Sequence, residues 1–477
     1  MTAVNILEKY LCFLRSALTE ENPFITTDEI IKWIKRRNNS TQVCIEQSNF
    51  KELKNWSFDS DFYSMNHATG KFFSIIGINV ETNYGKIQSW DQPIINQPEI
   101  GYLGFITKEI NGILYFLVQA KIEPGNVNNV QLSPTLQATK SNYSQVHQGK
   151  KPTYLDYFIE RGRCEILLDQ LQSEQGSRFL KKRNRNIIIK TIEDVPIYDD
   201  FIWMTLGQIK CLMSYDNLVN MDTRTVISGI PMGGFDENTI SFFNTIGNTS
   251  TSEFSKGMLF SALSINSNLN SFDDIIAWFT ELKCKYEIHV RQISLKTMRD
   301  WVVSESEIFH KDRKYFRVMA AKIEISNREI SSWMQPLVQP AQEGLIAFIV
   351  KKINGIYHFL IQAKVECGNF DTLEMAPTVQ CLTGNYKTTP TNALPYLDYV
   401  LNASESQIKL DVLQSEEGGR FYKEQNRNLI IEADDNFSEN THPNYSWLTL
   451  NQLHAFLNFN NYLNIQARSL LSAIPFK

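Results

Sequence analysis

The chain repeats itself, and this limits its fold more than any other feature of its 477 residues. Trp90-x-Gln92-Pro93 recurs as Trp333-x-Gln335-Pro336. Gln119-Ala120-Lys121-x-Glu123-x-Gly125-Asn126 recurs as Gln362-Ala363-Lys364-x-Glu366-x-Gly368-Asn369, and Pro134-Thr135-x-Gln137 as Pro377-Thr378-x-Gln380. Tyr154-Leu155-Asp156-Tyr157 then matches Tyr396-Leu397-Asp398-Tyr399. Leu171-Gln172-Ser173-Glu174-x-Gly176-x-Arg178-Phe179 matches Leu413 to Phe421, and Asn184-Arg185-Asn186 matches Asn426-Arg427-Asn428. Identities number 24 between 90–143 and 333–386, and 18 between 154–186 and 396–428, which chance does not produce. The chain is a tandem duplication, read as repeats at 1–235 and 271–477 joined by a Ser-, Asn- and Thr-rich linker at 236–270.

Within each repeat the pattern alternates between strand and helix signals. Tyr102 to Glu109, Asn111-Gly112, and Ile113 to Glu123 predict a hairpin, because Asn-Gly supplies the positive φ of a tight turn, and Asn354-Gly355 repeats it. Lys71 to Glu81 and Lys314 to Glu324 predict a further pair of strands. Asp28-Glu29 and Asp273-Asp274 open amphipathic helices, and Thr205-x-x-Gln208 and Thr449-x-x-Gln452 have capping-box spacing. The expected fold class is α/β with a mixed sheet in each copy. With 43% hydrophobic and 21% charged residues, there is material for two globular cores.

Composition also excludes several functions. A net charge of −5 lacks the basic surface of a general nucleic-acid binder. Seven scattered cysteines without Cys-x-x-Cys read as reduced thiols of a cytoplasmic protein. Apolar runs such as Gly344 to Val350 fall far short of the ~20 residues of a membrane span. There is no Walker loop, no Gly-x-Gly-x-x-Gly after a strand, no His-Glu-x-x-His and no Gly-x-Ser-x-Gly, so no nicotinamide, flavin or metal is implied.

The residues shared by the copies are unusually polar for a structural repeat, since buried polar groups are tolerated only with partners. Lys121 and Glu123 lie two apart on a strand and share a face, as a pocket pair or a structural ion pair. Glu174 is the foremost lone carboxylate for proton transfer, followed by Glu123. Tyr143, Tyr154 and His147 are candidate donors, His147 having no counterpart in the second copy. Arg178 and Arg185 have the fork that grips a diphosphate, and Trp90 and Phe179 are candidates to stack a base or to pack a core. Gln119, Asn126, Gln137, Gln172, Ser173, Asn184 and Asn186 complete the expected binding set. The second copy offers Trp333, Lys364, Glu366, Gln380, Tyr386 and Glu416, with Arg420, Phe421, Asn426 and Arg427.

Gln-Ala-Lys-x-Glu-Pro-Gly-Asn from 119, Ser-Pro-Thr-x-Gln-Ala-Thr-x-Ser-Asn-Tyr from 133 and Asp-x-Leu-Gln-Ser-Glu-x-Gly-x-Arg-Phe from 169 together resemble the NDP-hexose 2,3-dehydratase family. The resemblance covers nearly the whole chain. It implies two Nudix-like α/β/α domains, a homodimer, and action on dTDP-4-keto-6-deoxyglucose ahead of an NADPH-dependent 3-ketoreductase. It brings no hydrolase activity, since the Nudix metal-binding box is missing from both copies. The implied reaction needs a base (Glu174 or Glu123), an acid (Tyr143 or His147) and Lys121 at the enolate oxygen, with no redox cofactor. A catalytically silent nucleotide-sugar binder and a divergent Nudix-type hydrolase are the competing readings. Cys367, where the first copy has Pro124, and the missing histidine make the first pocket the expected live one.

Overall fold

The computed structural model describes residues 3–139, 151–160, 162–233, 252–265, 268–326, 331–383 and 394–476. Each repeat carries a seven-stranded mixed sheet of identical order. In the first, Glu165–Ser173 pairs antiparallel with Arg183–Lys190, which runs parallel to Gly101–Ile110; the hairpin strand Ile113–Ile122 and Phe201–Thr205 follow. In the second the order is Ile408–Ser415, Gln425–Glu432, Gly344–Ile353, Ile356–Lys364 and Tyr445–Thr449. Both hairpins turn on the expected dipeptides, with Asn111 and Gly112 at φ 52° and 79° and Asn354 and Gly355 at 51° and 82°. The expected strand at 71–81 is Ser74–Thr82, and its twin is Phe316–Ile325.

Helices cover both faces of each large sheet. In the first repeat the short helix Leu155–Ile159 packs on Ile106, Leu117, Ile187 and Ile189. On the other face lie Ala3–Ala17, Thr27–Asn39 and Leu206–Leu212, against Phe105, Phe116 and Val118. Capping boxes close the N-termini at Thr26 with Glu29, Ser271 with Asp274, Thr205 with Gln208 and Thr449 with Gln452, each satisfying two otherwise orphaned amides. The stretch read as a linker carries a helix, Glu253–Leu263, and repeats the packing of Ala3–Ala17. Ser16 Oγ donates to Leu114 O and accepts from Leu206 N; Ser261 Oγ donates to Tyr357 O and accepts from Leu450 N. No described helix is long and apolar enough to cross a membrane.

The repeats share their apolar interiors, because they exchange strands. Val43–Gln47 of the first repeat pairs antiparallel with Phe316–Ile325 of the second. Ile288–Ile293 of the second pairs in the same way with Ser74–Thr82 of the first. Each smaller sheet is therefore composite. Beneath them Phe50, Trp56, Phe73 and Phe179 share one apolar cluster with Leu295, Trp301, Phe316 and Phe421. A second cluster joins the helical faces of both large sheets, from Phe105 and Phe116 to Phe348 and Phe359. Apolar periodicity shows that a strand buries a face but not whose sheet it joins, so the exchange leaves no mark in the sequence.

Candidate active site

Between the repeats lies a cleft of about 1170 Å³, a size that suits a nucleotide sugar. The first repeat lines it with Gln119, Lys121, Glu123, Gln137, Glu174, Phe179, Lys182, Asn184 and Asp222. The second contributes Trp333, Gln335, Glu417, Gly419 and Arg420.

Strand alternation brings Gln119, Lys121 and Glu123 to one side of Ile113–Ile122 and its continuation. Lys121 Nζ stands 3.6 Å from Glu123 Oε1 and 3.5 Å from Gln137 O, while Gln137 Nε2 donates to Glu123 Oε1 at 2.7 Å. Glu174 follows Glu165–Ser173, and its Oε1 accepts from Asn184 Nδ2 at 2.6 Å. Asn184 is itself fixed, its Oδ1 accepting from Gly101 N at 3.1 Å. Glu174 is only 6% exposed, and its Oε2 is a buried atom without a hydrogen-bond partner. Burial pushes its carboxyl above the usual range, against the pull of Lys182, Arg468 and Asn184. The same burial brings Lys182 down to about 8, although Glu174 and Glu99 favour its charged form. Glu417 is pushed up to about 7 by burial and by Glu123, while Arg420 works in the opposite sense. Asp222, in the first turn of the helix Met221–Ser228, rises well above its ordinary value through burial and the carboxylates of Glu123, Glu417 and Glu174.

From the second repeat, Trp333 Nε1 donates to Gln335 Oε1 at 2.9 Å, and Gln335 Nε2 donates to Gly419 O at 2.7 Å. Arg420 stacks on Phe73 at 4.2 Å and donates to Gly419 O at 2.9 Å, leaving its guanidinium at the cleft wall. Two arginines absent from the sequence-derived set hold the glutamate loops from below. Arg468, 1% exposed, donates to Ser173 O and to Leu463 O at 2.6 Å; Arg224, also 1% exposed, donates to Ser415 O and to Ser469 Oγ at 2.7 Å.

Ownership of the motifs is crossed between the repeats. Arg178 does not line this cleft: it stacks on Phe316 at 4.1 Å, and its charge acts on Glu366, Glu416 and Glu424. Trp90 packs beside Cys367, with its Nε1 on Gln92 Oε1 at 2.9 Å. The counterparts Arg420 and Trp333, expected in the second pocket, stand in the first. On the second side Lys364 donates to Gln380 O at 3.0 Å, Gln380 to Glu366 Oε1 at 3.0 Å, and Asn426 and Gln175 to Glu416.

Other expected site residues serve the framework. Arg185 and Arg427 form surface pairs with Asp169 and Asp411, each at 2.6 Å. Tyr154 Oη donates to Pro196 O at 2.6 Å, Gln172 to Leu457 O at 2.9 Å, Ser173 to Glu374 at 2.8 Å, and Asn186 to Thr225 O at 3.2 Å. Asn126 donates to Asn129 O at 2.8 Å, and Phe421 meets the cleft-lining Phe179 edge to face at 5.7 Å. Tyr143, His147 and Tyr386 lie outside the described residues. Sequence reasoning missed Lys182, Asp222 and Glu417. Their signal lay in what the copies do not share, because the equivalent positions are Glu424, Gln466 and Gln175. Among the described residues no three His, Cys, Asp or Glu side chains gather into a metal-holding group.

A family model for NDP-hexose 2,3-dehydratase matches residues 27–230 and again 272–474, each match spanning one repeat. The chain belongs to the NDP-hexose 2,3-dehydratase family. It is 44% identical over 463 residues to a dTDP-4-dehydro-6-deoxy-α-D-glucopyranose 2,3-dehydratase of Saccharopolyspora spinosa, covering 97% of this chain and 94% of that relative. A protein of the same name from Amycolatopsis orientalis is 39% identical, over 96% of this chain and 92% of its own length. Another from Streptomyces violaceoruber is 37% identical, over 93% and 95%.

Proposed function

We propose that the protein is a hydro-lyase that removes water across carbons 2 and 3 of dTDP-4-keto-6-deoxyglucose in deoxysugar biosynthesis, giving a 3,4-diketo-2,6-dideoxy sugar nucleotide. The observation that carries this reading is Glu174: a buried carboxyl at the cleft, held by Asn184, in the field of Lys182, with one oxygen lacking a hydrogen-bond partner. The 4-keto group acidifies the proton on carbon 3, and Glu174 takes it. Lys121 stabilises the enolate oxygen that results. Collapse of the enolate re-forms the carbonyl, makes the C2=C3 bond and expels the carbon-2 hydroxyl as water; the enol then tautomerises to the diketone. Arg420 offers its fork to the diphosphate, and Trp333 offers a face to the base.

The first cleft is the working one in this reading. At the position of Lys182 the second side has Glu424, which places a further carboxyl in the field of Glu416 where the first side has a lysine. The sheets flanked by helices on both faces fit the Nudix-like description of the repeats, which meet within 236–270. A homodimer and a following NADPH-dependent 3-ketoreductase complete the proposal.

Incubation with dTDP-4-keto-6-deoxyglucose, a 3-ketoreductase and NADPH tests it. NADPH oxidation with formation of a 2-deoxy sugar nucleotide is expected. Release of dTMP identifies a hydrolase, and binding without turnover identifies a silent binding protein.

A further inference from the structure

Dehydration needs an acid for the departing hydroxyl as well as a base, and the cleft supplies an acid from the other half of the chain. Glu417 sits at the cleft wall in the loop after Ile408–Ser415, with Oε1 accepting from Gly419 N at 2.8 Å and part of the side chain open to the cavity. Asp222 enters from the first repeat, only 3% exposed. Asp222 feels Glu417, Glu123 and Glu174, and Glu417 feels Glu123 and Glu174; Lys121 acts on Asp222, Arg420 acts on Glu417, and Lys182 lies in the field of Glu417. Glu174, one of whose buried oxygens lacks a hydrogen-bond partner, lines the same cavity.

We propose that Glu417, contributed by the second repeat, is the catalytic acid that protonates the carbon-2 hydroxyl. The inference rests on the dehydration reading above and names a group that reading leaves open. Neighbouring carboxylates in a buried site do not all ionise together, so one proton stays within the pair at neutral pH. Two carboxyls then divide the work by environment: Glu174, beside Lys182 and Asn184, receives the carbon-3 proton, and Glu417 gives one up as the C2–O bond breaks. The proton gained by Glu174 and the proton lost by Glu417 are restored through solvent after product release. On the second side both members of the pair are amides, Gln175 and Gln466, which hold the shape but carry no transferable proton.

Exchange and elimination separate the two roles. Dissolved in D2O with dTDP-4-keto-6-deoxyglucose, Glu417→Gln is expected to keep replacing the carbon-3 hydrogen with deuterium while water loss falls ~10²–10⁴-fold. Glu174→Gln is expected to lose both. Elimination at the wild-type rate by Glu417→Gln overturns the proposal. So does loss of exchange together with elimination when the variant still binds the nucleotide sugar. If the glutamine variant does not fold, Glu417→Asp carries the question: a displaced alkaline limb supports the role and an unmoved limb overturns it. Wild-type protein that neither exchanges nor eliminates would remove the dehydration reading itself, a different result from either variant failing alone.

Discussion

The backbone N–H of Gly125 donates to the carbonyl of Gly418 at 2.7 Å, docking the Pro-Gly-Asn turn of the first repeat on the glutamate loop of the second. The mirror contact, Gly368 N to Gly176 O at 2.6 Å, completes a reciprocal clasp. A Cβ on Gly125 would collide with the Phe421 carbonyl, and one on Gly368 with that of Phe179. Backbone atoms cannot swing aside as a flexible side chain does. Gly125→Ala is therefore expected to cost at least ~1–3 kcal/mol, the range for overpacking, and Gly368→Ala a similar amount. Chemical denaturation checks both; an unchanged midpoint would show that the clasp yields easily.

That clasp explains what the sequence made legible and what it did not. The duplication, the hairpins at Asn111-Gly112 and Asn354-Gly355, and the capped helices follow from local chemistry and appear where expected. Glu123, Lys121, Gln137, Glu174 and Asn184 were legible as a polar set, and they meet in one cleft. Shared motifs, however, mark two kinds of constraint. Gly125, Asn126 and Gly176 recur because they dock the repeats, as does the Gln-Ser segment whose backbone Arg468 holds. Arg178 and Trp90 recur because the exchange sends them to the other side. No spacing rule reveals a crossing of that kind, since it depends on which repeat a strand joins.

Crossed ownership changes which arginine matters for the substrate. Arg420→Ala is expected to raise KM for the nucleotide sugar ~10–100-fold, because a charge-assisted contact contributes about 1.5–3 kcal/mol. Arg178→Ala, stacked on Phe316 away from this cleft, is expected to leave KM within about twofold if the variant folds. Steady-state kinetics on the pair decides; the opposite order would return the diphosphate site to Arg178.

Buried carboxyls also predict an unusual dependence of stability on pH. Glu374, Glu417 and Glu424 are each pushed up to about 7 by burial, against ~4.3 in an unfolded chain. Between those values the folded protein holds more protons than the unfolded one, so stability falls as pH climbs from about 5 to 7. His454, held down to about 3 in its buried site, works in the opposite sense, as do His310 and His358, while the buried carboxyls Glu174, Asp222, Glu366 and Glu416, also raised by burial, add to the fall. Asp91 and Glu307, held low by arginines, act only at more acid pH. Tm is expected to be higher at pH 5.5 than at pH 7.5, and Glu424→Gln, whose Oε2 has no partner to lose, is expected to flatten the slope. A Tm that rises steadily from pH 5.5 to 7.5 would contradict this.

The most direct test of the account is a matched pair of variants, Glu174→Gln and Glu416→Gln, assayed for water loss from dTDP-4-keto-6-deoxyglucose after circular dichroism has shown both to be folded. Glu174 lines the cleft and keeps one oxygen without a partner, whereas Glu416 is committed to Gln175 and Asn426 on the side that lacks a lysine at position 424. Glu174→Gln is expected to lose ~10²–10⁴ in kcat and Glu416→Gln much less. Equal losses, or a greater loss for Glu416→Gln, would contradict the assignment of the reaction to the first cleft.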